Sequence, residues 1–174
     1  FMGLIHRLLG EQVNRDYEGL KIRRFIYQAF EGDKPVGLAH GSTTEVQDHP
    51  IDIFVYYSPE GVIRDLRIEK IPTHVLGDLE SGGYLKQFIG RATDDFEVTL
   101  GRKGRIKSRG SFAAQAKRPS NSTLRSYFDK IARSVRFNAA FMEVAYFITQ
   151  HPEEVAPPAV LEGKQTLLQT PFDQ

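Results

Sequence analysis

Between Ser120 and Ser126 the chain reads Ser-Asn-Ser-Thr-Leu-Arg-Ser, a run of small polar side chains just ahead of a long helical pattern. The first turn of a helix carries N–H groups without intrahelical partners and the positive end of the helix dipole. Small side chains there let an anion come close to the backbone. A phosphate group has a suitable size and charge. The same residues also suit ordinary capping, in which a Ser or Asn side chain takes one of those N–H groups, and Pro119 just before them is common helix punctuation. A cap and an anion site are both open on this stretch alone.

Other groups able to do chemistry are less concentrated. Arg102-Lys103-Gly104-Arg105-Ile106-Lys107-Ser108-Arg109, followed by Lys117 and Arg118, is strongly basic, as a nucleic-acid backbone would require. Only Phe112 stands near enough to stack a base, so the run reads as a solvated hairpin end and no nucleic acid is expected. The five histidines, His6, His40, His49, His74 and His151, lack the spacing that puts two metal ligands on one helix face. His40 and His49 could meet across strands, though lone histidines at strand ends are usually satisfied polar groups. Asp78, Glu80, Glu69 and Asp94-Asp95 form no pair spaced for acid–base hydrolysis. Asp94-Asp95 reads as a turn into a strand. Gly82-Gly83 stands outside any dinucleotide fingerprint, and no P-loop is present. With no cysteine, disulfides, thiolate metal sites and cysteine nucleophiles are excluded.

The elements that must position these residues follow from periodicity. A chain of 174 residues with net charge +1 is long enough for one substantial core. Leu4, Ile5, Leu8, Leu9 and Val13 form a short helical stripe within residues 1–19. Arg24–Phe30 and Val36–Gly41 read as strands about a turn at Glu31–Pro35. Ile51–Tyr57 and Val62–Ile71 read as a second hairpin about Ser58-Pro59-Glu60-Gly61. Both faces of that hairpin carry apolar residues, which places its strands inside the sheet. Phe96–Leu100 is a further strand, turning at residues 101–104 into Arg105-Ile106-Lys107. Leu124, Tyr127, Phe128, Ile131, Val135, Phe141, Val144, Ala145 and Ile148 then recur at helical steps. Residues 151–174, with Pro152, Pro157 and Pro158, read as a tail along the surface. The longest apolar run, Ala139–Ile148, contains Glu143 and falls short of a membrane span. The fold class expected is α+β, an antiparallel sheet packed against a long C-terminal helix.

In order and spacing, Val36–Ile148 resembles the FMN-binding domain family, which includes the C subunit of the sodium-pumping NADH:quinone reductase and the G subunit of Rnf complexes. Tyr56–Ile63 matches the family's glycine-terminated hairpin, and Tyr84-Leu85-Lys86-Gln87-Phe88-Ile89-Gly90 matches a helix ending near Gln-Phe-x-Gly. Ser120–Ser126 stands where the family carries Ser-Gly-Ala-Thr-x-x-Ser, with Asn121 in place of the glycine and Ser122 in place of the alanine. Pro72-Thr73-His74-Val75-Leu76-Gly77-Asp78 stands for the Glu-Thr-Pro-Gly-Leu-Gly loop, keeping Thr73, Leu76 and Gly77. The resemblance implies that residues 20–150 form an FMN-binding electron-transfer domain, more an electron-transfer subunit than a free-standing enzyme. It implies that Thr123 carries or contacts the FMN phosphate, joined by Ser120, Ser122 and Ser126, and that Thr73, Leu76 and Gly77 line the ring site. In many members a flavin transferase joins FMN to the motif threonine. Partners implied are that transferase and a redox protein or membrane electron-transport complex, on the extracytoplasmic side of a bacterial membrane. A flavin-free binding or assembly module on the same fold is the alternative.

Overall fold

A short glycine turn starts the sheet. Glu31 pairs with Lys34 across Gly32-Asp33, and Gly32 adopts φ +61°, a left-handed value that costs glycine little. This and all that follows comes from a computed structural model, which describes residues 25–96, 98–100, 106–109, 112 and 116–147. The segments read from sequence at 1–19 and 151–174, and the basic turn at 101–105, lie outside the described residues. Strand β1 (Ile26–Glu31) pairs with β2 (Lys34–Val46), β2 with β3 (His49–Tyr57), and β3 with β4 (Ile63–Glu69), all antiparallel and in sequence order. The two hairpins read from sequence are thus present and joined by a third. Its turn, Gln47-Asp48, has φ of +50° and +63° without a glycine. Of the second hairpin only β3 is central. β4 is an edge, and its apolar residues Ile63 and Ile68 are buried on the inner face while Arg64, Asp65 and Arg67 face water.

Beyond β4, helix α1 (Thr73–Ser81) buries Val75 and Leu79. It stops at Gly82-Gly83: Gly83 takes φ +71°, its N–H donates to the Glu80 carbonyl at 2.9 Å, and the Tyr84 N–H donates to Leu79 at 3.0 Å. These are the two bonds of a Schellman motif. Gly82 also has no room for a side chain, since a Cβ there would lie 2.3 Å from the Tyr84 ring. The helix expected to end over Tyr84–Gly90 therefore ends three residues earlier, and Lys86–Phe88 is a separate 3₁₀ turn. Phe96 belongs not to a strand but to a second 3₁₀ turn (Thr93–Phe96), where the Asp95 carboxylate accepts from the Ala92 N–H at 3.2 Å. Strands β5 (Val98–Leu100) and β6 (Ile106–Arg109) form a small hairpin.

Helix α2 (Ser122–Met142) runs 21 residues and continues into a π turn over Glu143–Phe147. Its buried face, including Tyr127, Phe128, Ile131 and Val135, lies across β2 and β3. There it meets Leu38, Ile51, Ile53, Val55 and Tyr57, every second residue of the strands, in one core. Phe88, Phe96 and Phe112 fill the end beside β4, with ring centroids 4.8 and 5.2 Å apart for the two pairs that share Phe112. The α+β architecture expected from the sequence is present. No described helix is long and apolar enough to cross a membrane.

Candidate functional site

Asn121 caps α2. Its backbone is extended, its side-chain oxygen accepts from the Leu124 N–H at 3.0 Å, and its carbonyl accepts from the Arg125 N–H at 2.9 Å. The residue that replaces the family's motif glycine thus does the work of a cap, which takes the third N–H of the helix and leaves those of Ser122 and Thr123 directed outward. Ser120, Ser122 and Thr123 are exposed and Ser126 is half-buried. No acidic residue stands in the first turn to compensate the dipole. The capping reading and the geometry needed for an anion coexist here.

The approach to this turn is fastened by side chains from other elements. Gln87 holds both backbone groups of one residue: its Oε1 accepts from the Lys117 N–H and its Nε2 donates to the Lys117 carbonyl, each at 2.9 Å. The same Nε2 reaches the Tyr84 carbonyl at 2.8 Å. Lys117 Nζ sits 5.2 Å from the Tyr84 ring centroid, a cation–π arrangement. Arg125 Nε donates to the carbonyl of buried Pro119 at 2.8 Å, and Arg118 pairs loosely with Asp129 at 3.7 Å. Lys117, Arg118 and Arg125 therefore give the helix start a basic surrounding. Nothing local in the sequence marks Gln87 for this role, because its partner is 30 residues away.

Thr73, Leu76 and Gly77 lie not on a loop but on the first two turns of α1, with Thr73 and Gly77 exposed and Leu76 half-buried. α1 touches α2. The two groups of residues expected to share a ligand thus stand on contacting helices.

His40 and His49 do not meet. His40 pairs with Val55 and His49 with Val46, six positions apart along the same ladder. His40 is fully buried, stacked on Phe141 with centroids 4.2 Å apart, and its Nδ1 hydrogen-bonds the Asn138 side-chain oxygen. Asn138 Nδ2 in turn donates to Ser42 Oγ at 2.9 Å. His40 is thus a core residue held through Nδ1 by Asn138. Among the described residues no three His, Cys, Asp or Glu side chains gather as a metal site.

Compared with protein families, with curated proteins and with solved structures, the chain gives no match.

Proposed function

We propose that the chain is an electron-transfer domain that holds FMN by its phosphate at the start of α2. The observation that carries this reading is the helix start itself: a capped first turn with no acidic residue, exposed hydroxyls at Ser120, Ser122 and Thr123, and Lys117, Arg118 and Arg125 around it. An anion there gains from the outward N–H groups and from charge-assisted hydrogen bonds. The resemblance of the motif order to the FMN-binding family selects FMN among anions. FMN supplies one- or two-electron transfer, and the protein supplies position and electrostatics. Thr123 holds the phosphate, as a phosphoester where a flavin transferase acts, with Ser120, Ser122 and Ser126 beside it and Thr73, Leu76 and Gly77 of α1 toward the ring. The same reading gives the chain a redox-protein partner or a membrane electron-transport complex on the extracytoplasmic side.

The test is coexpression with a flavin transferase, followed by intact mass and the visible spectrum. Wild type should gain the mass of one FMN less one water, as a phosphoester requires, and the flavin absorption. Thr123→Val should lose the covalent adduct while keeping its circular dichroism. Wild type that stays colourless and unmodified, and binds no added FMN, would replace this reading with that of a flavin-free module.

A further inference from the structure

The four-stranded sheet has two edges, and they are built differently. β4 carries Arg64, Asp65, Arg67 and Glu69 along its length. Its start is also covered, since the Ile63 N–H donates to the Arg91 carbonyl and the Gly90 N–H to the Ile63 carbonyl, each at 2.8 Å. Charge and cover are the means by which proteins keep an edge strand from pairing with another chain. β1 has neither. It reads Ile-Tyr-Gln-Ala-Phe-Glu, with its one charge at the hairpin end and no lysine or proline, and among the described residues it pairs with β2 alone. Exposed apolar surface gathers on the same edge. Tyr27 is 61% and Phe30 56% exposed, Phe25 just ahead of the strand is 58% exposed, and Val36 on the neighbouring β2 is 43% exposed.

The residue order of this edge is complementary to itself. A two-fold axis at Gln28 aligns all of residues 25–31, antiparallel, with the same segment of a second copy. Tyr27 then lies opposite Ala29 of the second copy, a large ring against a small side chain, on one face. Ile26 lies opposite Phe30 on the other face, apolar against apolar. Glu31 falls opposite Phe25, so no two like charges meet. The surface available is also of the right order. An aromatic side chain buries about 150–250 Å², so three that are more than half exposed leave about 100 Å² each to cover. With Ala29, Val36 and the strand backbones, the two copies together cover roughly 1,000 Å², the lower bound of a specific interface.

We propose that β1 pairs with β1 of a second copy about a two-fold axis at Gln28, joining two four-stranded sheets into one continuous sheet. The unpaired N–H and C=O groups of the edge supply the ladder, and the alternation of large and small side chains sets its register. A second copy fits this edge better than an unrelated extended segment, because the edge answers its own pattern of size and charge.

Sedimentation velocity of the full chain tests this. The dimer fraction should rise over about a hundredfold range of concentration, as mass action requires. Tyr27→Lys with Ala29→Lys sets like charges opposite each other and should give a monomer, whereas Tyr27→Lys with Ala29→Glu sets opposite charges there and should dimerise again. Both positions are exposed on the edge, so circular dichroism of either variant should match wild type. The chain has no cysteine, so Gln28→Cys places a single thiol on the axis and gives up only the exposed hydrogen bond to Tyr146. Residues directly opposed across an antiparallel pair have Cα atoms about 4.5–5.5 Å apart, within the span of a disulfide, so diamide should link the two copies. Tyr27→Cys, about 8 Å from its counterpart, should stay unlinked. A monomer at every concentration overturns the proposal. So does a dimer that withstands the two lysines, or one that Tyr27→Cys links as readily as Gln28→Cys.

Discussion

Tyr57 is a single residue that works against its own environment. Its ring belongs to the core, facing Leu38 and Ile63, but its hydroxyl is fully buried and makes no hydrogen bond among the described residues. Burial pushes its phenol well above the ordinary value of 10.0. A folded-state value raised above the unfolded one means that stability is intact below about pH 10 and falls as the unfolded chain ionises above it. Tyr57→Phe removes the unpaired hydroxyl and keeps the ring. It should raise stability by about 1 kcal/mol at neutral pH and flatten the alkaline loss, both read from urea denaturation between pH 7 and 11. At this scale the sequence was partly legible. The place of Asn121 before a helical pattern announces a cap, which is present. The bond from Gln87 to Lys117 is not announced, since nothing local in either residue points to the other.

Among the elements, those with strong periodicity could be read and those held by backbone geometry could not. The alternation of Ile53, Val55 and Tyr57 and the three-and-four spacing from Leu124 to Val135 gave β3 and α2 directly. The bounds of α1 are faint in the sequence because only Val75 and Leu79 mark its buried side, and Gly77 interrupts a short pattern, so a helix ending over Tyr84–Gly90 is expected where it ends at Ser81. Its stop is nevertheless written in Gly82-Gly83, a pair that belongs to no nucleotide fingerprint. The turn Gln47-Asp48 was hidden for a different reason: both residues are left-handed, as a type I′ hairpin requires, yet the Asn-Gly signature is missing. Left-handed backbone costs a non-glycine residue about 1 kcal/mol. Gln47→Asn with Asp48→Gly should therefore raise stability by about 1 kcal/mol in denaturant titration without altering α2 or its first turn. An unchanged midpoint would mean that the turn is already relaxed by contacts of its own.

For the molecule as a whole, α2 joins both ends of the reading: its first turn is the proposed cofactor site and its buried face completes the core. Phe128 lies 6.1 Å from both Tyr84 and Phe88, the residues that flank the Gln87 latch. Phe128→Ala should cost about 3–5 kcal/mol and loosen bound flavin together with the fold. Arg125→Ala, on an exposed residue that gives one hydrogen bond to Pro119, should cost no more than about 1 kcal/mol. Thermal unfolding and flavin release measured on both variants check this, and similar small losses would show that Phe128 is not central. The helix also sets an order of events during synthesis. His40 and Asn138, which close β2 onto α2, are 98 residues apart. At roughly 5–20 residues per second, the sheet is complete for several seconds before its cover is made. During that interval Leu38, Ile53 and Val55 lack the helix that covers them, the kind of transiently exposed apolar surface that chaperones shield, for a length of time fixed by the fold's topology.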